Sequence, residues 1–236
     1  MLDDGTTVSL VMPCRNEGNH ITELLKHAPS FFDEIVAVSN ASTDNTWETL
    51  CELSEHMQRL VPKRDDRTVG GVGYGFAHMT GIASTTSDWI VCLDADGTYP
   101  SEDAPAIITW AREHRKSFVS CNRYPDPSIP LKLQIGVKTL CVEIRLLYGL
   151  KLSDSLSGMW VFERSVVPLL HLTEGDWNLS PQIKLNAWQA LGEEFCEYPI
   201  KQAERLGNTK QAYFRTGWSH LVWIARNRFA RSSNKA

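Results

Sequence analysis

Two carboxylates separated by one small residue, Asp94-Ala95-Asp96, close an apolar run that starts at Trp89. Alternate side chains share one side of a strand, so Asp94 and Asp96 are expected to project together from a buried strand with an acidic tip. Carboxylates that close repel each other unless a cation lies between them. Oxygen-only ligands suit Mg²⁺ or Mn²⁺, which keeps some waters and takes further ligands from substrate phosphates. Gly97 lets the backbone turn and Pro100 stops the strand. The same letters also fit a solvated acidic turn, so the surrounding stretches decide between the two readings.

The elements that must position this pair follow from periodicity. Thr7 to Met12 is β-branched and apolar and halts at Pro13, which reads as a central strand feeding the loop Pro13 to Gly18. A helix with Ile21, Leu24, Leu25 and Ala28 on one stripe follows and ends at Pro29. Glu34 to Ser39 is the second strand, and Thr43 or Asp44 is placed to cap a helix carrying Trp47, Leu50, Cys51 and Leu53. The stretch Gly70 to Gly75 fails the G-x-G-x-x-G spacing, since Phe76 stands where the last glycine would fall. Those glycines are expected to admit a ligand to the backbone, to open a helix from Phe76 to Ala83, or to form a plain loop.

After the acidic tip come a helix from Glu102 to Glu113 and a strand from Ser117 that ends at Arg123. A proline-rich loop from Tyr124 to Pro130 then leads into a helix from Leu131 to Leu150, with Leu133, Val137, Leu140, Ile144 and Leu147 on one stripe. Val161-Phe162 is a short strand, Ser180 to Leu191 a helix, and Phe195 to Pro199 a strand. Residues 205 to 210 form a basic loop. The last helix runs from Thr216 to Arg231, with Trp218, Val222, Ala225 and Phe229 on one stripe and Arg226, Arg228 and Arg231 supplying charge. Strands alternating with amphipathic helices imply an α/β fold with a mostly parallel sheet, whose ligands sit beyond the carboxyl ends of the strands.

Composition narrows the function classes. The 236 residues suit one α/β domain with a C-terminal elaboration, and a net charge of −4 argues against a bulk nucleic-acid partner. Hydrophobic content of 42% is ordinary for a soluble globular chain. The six cysteines include no C-x-x-C pair, which fits a reducing cytoplasm. No signal peptide or membrane-length apolar run is present, so membrane contact is expected to be peripheral at most.

Together the loops resemble the family 2 glycosyltransferases of GT-A fold, and among them the dolichyl-phosphate mannose synthase-like polyprenyl-phosphate hexosyltransferases. Pro13-Cys14-Arg15-Asn16-Glu17 is similar to the family's P-x-x-N-E donor loop, and Val38-Ser39-Asn40-Ala41-Ser42-Thr43-Asp44 to its base-binding loop. Gly73 to Gly75 resembles the glycine stretch before the third helix, and Asp94 to Pro100 the metal motif. Asn122-Arg123, Ser157-Gly158-Met159-Trp160, Ser180 to Gln182, Glu197 to Ile200 and Arg205 to Lys210 fall where the family places acceptor-side and phosphate-binding elements. The chain departs from the pattern at Ser39, usually aspartate, at Thr98, often glutamine, at Trp160, often arginine, and at Gln182, often glutamate.

The resemblance implies a GT-A unit over residues 1–215, and the residue pattern itself adds a basic amphipathic helix and tail over 216–236. It further implies an enzyme that moves a hexose from a nucleotide diphosphate sugar to a polyprenyl phosphate by inverting displacement. Donor contacts are expected from Pro13, Cys14, Arg15, Glu17, Ser39, Asn40, Asp44, Gly73, Asp94, Ala95, Asp96, Arg205 and Lys210. Asp94 and Asp96 would hold Mg²⁺ or Mn²⁺. Acceptor contacts are expected from Arg123, Ser157, Gly158, Trp160 and Gln182, with Asp96 and Arg123 closest to the chemistry. A phosphate acceptor is already anionic and needs a positioned cation, whereas a sugar hydroxyl would need a general base. Three other readings remain: a soluble hydroxyl acceptor, a nucleotidyltransferase sharing the sheet and paired carboxylates, and a non-catalytic nucleotide-sugar binder. The predicted location is cytoplasmic, with peripheral contact to the cytoplasmic face of a membrane.

Overall fold

The computed structural model describes residues 2, 4–126, 129–203 and 213–233, with side chains from 214 to 230 in the last segment. Seven strands form one sheet in the order β3-β2-β1-β4-β6-β5-β7. They are β1 (Val8–Cys14), β2 (Glu34–Ser39), β3 (Leu60–Arg64), β4 (Trp89–Cys92), β5 (Phe118–Asn122), β6 (Trp160–Glu163) and β7 (Phe195–Pro199). The first four are mutually parallel, and β5 and β7 are parallel to each other. Only β6 runs against its neighbours, β4 on one side and β5 on the other. Because of that reversal, the chain enters β6 at the edge where β4 and β5 leave it.

Helices cover both faces: α1 (Ile21–Lys26), α2 (Thr46–Ser54), α3 (Tyr74–Ser84), α4 (Ala104–Glu113), α5 (Leu131–Tyr148), α6 (Val167–Leu170), α7 (Leu179–Leu191) and α8 (Tyr213–Ser233). The strands divide their side chains with period two. Leu10, Met12, Ile35, Ala37 and Val91 meet Leu25, Ile107 and Ile108 on one face. Val11, Val36, Val38, Ile90 and Cys92 meet α3, α5 and α7 on the other, where Ile224 of α8 is also buried. Strands buried on both faces need continuous apolar runs, which is why β1, β2 and β4 were legible.

Several boundaries move. β1 continues through Pro13 to Cys14, since Pro13 pairs with Val38 in register without needing an amide there. β3, absent from the sequence reading, is an edge strand whose Pro62, Lys63 and Arg64 hide its pattern. α3 begins at Tyr74, two residues early, behind a tight turn in which Gly70 and Gly71 take positive φ. α5 stops at Tyr148 because Gly149 adopts the left-handed conformation and returns its N–H to Arg145 O.

Candidate active site

The carboxyl ends of β1, β2 and β4 and the entry to β6 converge on one rim. After β1, Arg15 reaches across to the Gly71 carbonyl and Glu17 pairs with His20 at 2.5 Å. After β2, the Asp44 carboxylate accepts Thr46 Oγ1 at 2.6 Å, Thr46 N at 3.1 Å and Gly18 N at 3.1 Å. Burial opposes its charge, but those three donors win and hold the carboxyl below its ordinary value. One side chain thus ties the β1 loop to the start of α2. Ser39 Oγ lies 3.1 Å from Ser42 Oγ, and Asn40 Nδ2 donates to the Asp65 and Arg67 carbonyls at 2.6 and 3.2 Å. Gly73 is glycine because the Asn40 amide fills the space of a Cβ, 2.2 Å from where one would stand.

The acidic pair does not ride on a strand. β4 ends at Cys92, and Asp94 and Asp96 lie in the turn that follows, so alternation along a strand is not what aligns them. Asp96 Oδ1 accepts Thr98 N at 3.0 Å and Thr98 Oγ1 at 2.6 Å, a closed local turn that fixes the carboxylate. Asp94 is reached from the opposite wall: a Cβ on Gly158 would stand 3.1 Å from both Asp94 oxygens and 2.8 Å from the Tyr74 hydroxyl. Among the described residues no cluster of three or more His, Cys, Asp or Glu gathers to hold an ion. Two hard carboxylates against a glycine-walled space fit a divalent ion that draws its remaining ligands from diphosphate and water.

The segment from Ser153 to Gly158 is pinned from every side. Asp154, fully buried, accepts Arg123 Nε at 2.6 Å and Nη2 at 3.0 Å, together with the backbone N–H groups of Leu156 and Arg123. Burial alone would raise its pKa, yet Arg123, Lys184 and those donors bring it below the ordinary value. Lys184 of α7, also fully buried, donates to Asp154 O at 3.0 Å, and burial pushes its ammonium down to about 8. Glu197 of β7 accepts Ser153 N at 2.7 Å and Asp154 N at 3.0 Å, while burial raises its pKa. Gly158 N donates to Tyr99 Oη at 2.7 Å, and Ser180 Oγ to Ser157 O at 3.2 Å.

The structure therefore sorts the expected contacts. Pro13, Arg15, Glu17, Ser39 and Asp44 lie at or just after the carboxyl ends of β1 and β2, Asp96 in the turn after β4, and Gly158 against Asp94; Ala95 instead packs into the hydrophobic core. Cys14 does not: it is fully buried, with Sγ donating to Met12 O. Asn40 clamps the β3 loop rather than facing the cleft. Trp160 is a fully buried residue of β6, its Nε1 donating to Ser157 O at 3.0 Å, so it supports the rim from below. Gln182 is spent on the loop before α7, accepting Thr173 N and Glu174 N at 2.9 and 3.0 Å. Ser157 is fully buried. Arg123 is paired with Asp154, and its side chain is 17% exposed. Arg205 and Lys210 lie outside the described residues. Sequence reasoning missed Asp154, Lys184, Tyr74 and Tyr99, whose partners are all distant in the chain.

Residues 9–168, which span every rim element up to α6, match the glycosyl transferase family 2 profile. The chain belongs to glycosyl transferase family 2. The hexosyltransferase Agl6 of low-salt glycan biosynthesis in Haloferax volcanii is 27% identical over 235 residues, which is 95% of this family 2 chain and 54% of Agl6. The chain thus spans about half the length of that relative. A UDP-N-acetylglucosamine–dolichyl-phosphate N-acetylglucosaminyltransferase of Methanococcus voltae is 26% identical over 180 residues, 69% of this chain and 72% of the relative. Among solved structures, glucosyl-3-phosphoglycerate synthase from Mycobacterium tuberculosis with Mn²⁺, UDP-glucose and glycerol 3-phosphate superposes with a TM-score of 0.69 at 18% identity, covering 95% of this chain and 80% of that one. That likeness is one of fold, and the fold is GT-A.

Proposed function

We propose that this glycosyltransferase moves a hexose from a nucleotide diphosphate sugar to a polyprenyl phosphate by inverting displacement. The observation that carries the transfer is the convergence of the β1 and β2 loops with Asp94, Asp96 and Gly158 on one rim. When held by Asp94 and Asp96, Mg²⁺ or Mn²⁺ supplies positive charge against the departing diphosphate. Both ions occur with UDP in solved relatives of the fold, and UDP-glucose occurs there with Mn²⁺. The β1 and β2 loops bind and orient the nucleoside. Arg123 offers an acceptor phosphate the part of its guanidinium that Asp154 leaves, and no general base is required of the chain.

The lipid half rests on the helices beside that rim. α5 begins shortly after Arg123 and buries Val137, Leu140 and Ile144, as the sequence pattern requires. A second stripe on the same helix points outward: Leu131 and Leu146 are 69% and 79% exposed, with Ile135 and Val142 between them. α8 buries Ile224 and His220 and leaves Phe214 at 90% and Trp218 at 70% exposure. The helices meet where Tyr148 Oη donates to Ile224 O at 2.9 Å and Arg228 Nε to Leu147 O at 2.8 Å. They carry Lys132, Lys138, Arg145, Arg215, Arg226 and Arg228 against a single acid, Glu143, in a chain of net charge −4. Among the described residues no helix is long and apolar enough to cross a membrane. A face of this kind suits peripheral attachment to an anionic surface on the cytoplasmic side, each nearby cation adding roughly 1 kcal/mol.

Sedimentation with anionic liposomes tests the reading: the protein is expected to pellet with them and to be released by high salt. Transfer to a polyprenyl phosphate should exceed transfer to a soluble hydroxyl or phosphorylated acceptor. Equal transfer to a soluble acceptor, with no liposome binding, would overturn the lipid half and leave the transferase.

A further inference from the structure

Tyr74 stands between the two glycines at the start of α3, and sequence reasoning assigned its side chain no role. The Tyr74 hydroxyl donates to the Asp94 carboxylate and converges with it on Gly158. Its backbone is fixed on both sides. Gly73 is packed against the Asn40 amide, and a Cβ on Gly75 would stand 1.9 Å from Glu174 O. The Gly75 and Phe76 N–H groups, the first donors of α3, both reach Gly175 O at 2.9 and 3.2 Å.

Its ring is fixed as well. The Trp177 ring lies 4.5 Å away and inclined at 32°, while His78 meets the ring edge-on at 4.6 Å and itself packs 4.9 Å from Trp160. His78 is fully buried, and neither of its ring nitrogens has a hydrogen-bond partner among the described residues. It serves as a ring rather than as a base. A buried imidazole left unpaired is destabilising, so this column is kept at a cost.

We propose that Tyr74 is a positioning residue for Asp94: its hydroxyl holds the carboxylate in the orientation that binds the divalent ion, and thereby sets the affinity of the site. The inference rests on reading Asp94 as a metal ligand. One carboxylate oxygen engaged by a phenol leaves the other to coordinate, which confines Asp94 to a single geometry before the ion arrives. Partners of this kind behind a ligand are worth about 10–100-fold in metal affinity. The column from Trp177 to Trp160 keeps the phenol in place, so the loop before α7 is mechanically joined to the metal carboxylate.

The test is Tyr74→Phe, which keeps the ring, its stacking and its volume and removes only the hydroxyl. Free Mn²⁺ is followed by electron paramagnetic resonance during titration of protein with UDP, in the absence of acceptor, for wild type, Tyr74→Phe, Asp94→Ala and the double variant. Mn²⁺ binding about 10–100-fold weaker in Tyr74→Phe, with an unchanged melting temperature and no added loss in the Asp94→Ala background, is the expected result. Wild-type Mn²⁺ affinity in Tyr74→Phe overturns the proposal while leaving Asp94 as a ligand. An equal further loss on top of Asp94→Ala overturns it too, since Tyr74 would then act by another route. Wild-type binding in Asp94→Ala removes the metal reading beneath it.

Discussion

The two halves of the rim are held in opposite ways. On the β1–β2 side, the loops are tied by neutral backbone donors and short polar side chains: Thr46 and Gly18 on Asp44, Thr43 N on Asn16, Ser39 near Ser42. On the β5–β6 side, a buried series of charges, Arg123, Asp154, Lys184 and Glu197, pins one short segment. Neutral ties near water are individually cheap to lose and easy to rearrange. Buried charges are expensive to disturb, because removing one leaves its partners uncompensated. The β1–β2 side is thus built to adapt, and the β5–β6 side to stay in place.

The strongest way to test this division is at its seam. Asp96→Ala should lower transfer by orders of magnitude in a kcat/KM assay while far-UV circular dichroism stays that of the folded protein, since the Thr98 bonds of Asp96 close a turn and not a strand or helix. Asp94→Ala should be nearly as damaging. Near-wild-type turnover in Asp96→Ala, or full activity in EDTA, would remove the metal from the mechanism.

The second test sets one carboxylate against another. Asp154→Ala strands Arg123 and Lys184 and is expected to cost about 3–5 kcal/mol in urea denaturation. Asp44→Ala removes the acceptor of the helix-start donors at an exposed position and should cost about 1 kcal/mol. Similar costs for the two would dissolve the contrast.

The third falls on α3, which lies under both halves. Burial lowers the His78 pKa to about 3, against 6.5 for an exposed imidazole. Between those values the unfolded chain binds a proton that the folded chain refuses. The stability associated with neutral His78 is therefore complete above about pH 6.5 and drains as pH falls toward 3, by about 2 kcal/mol at pH 5. His78→Leu should flatten that part of the stability–pH curve, and parallel curves for the two proteins would show that His78 titrates as an ordinary histidine.

The smallest effect is expected on the adaptable side. Ser39 can donate or accept one hydrogen bond where an aspartate only accepts, so Ser39→Asp should reorder thermal shifts among nucleotide sugars within about tenfold in affinity. An unchanged order would mean that position 39 does not read the base.

These cases also show what the amino-acid sequence discloses. β1, β2, β4 and the acidic pair were readable because two-sided burial writes continuous apolar runs and because Asp-Ala-Asp is a local pattern. Nothing local singles out Asp154 in its serine-rich stretch or Lys184 inside its helix. Their meaning comes from partners 31 residues away for Asp154 and 30 for Lys184. Trp160 and Gln182 fell on motif positions yet turned inward, since a motif gives the order of residues and not the direction of a side chain. β3 was hidden by its own edge position, where one exposed side admits Pro62, Lys63 and Arg64.

The reversed strand β6 has one more consequence. β5 leaves the sheet at the rim and β6 re-enters from the same rim, with Cys121 N bonded to Met159 O at 3.0 Å where the two pass. Everything between them, α5 included, is an excursion that starts and finishes at one place. Its ends are fixed by the sheet whatever its length, and doubling the length of such a closed loop costs only about 0.6 kcal/mol. Between Arg123 and the pinned stretch from Ser153 to Gly158, α5 is therefore the part open to replacement by a longer, shorter or differently charged helix that keeps its buried stripe, while the strand register and the carboxylates beside it remain as they are.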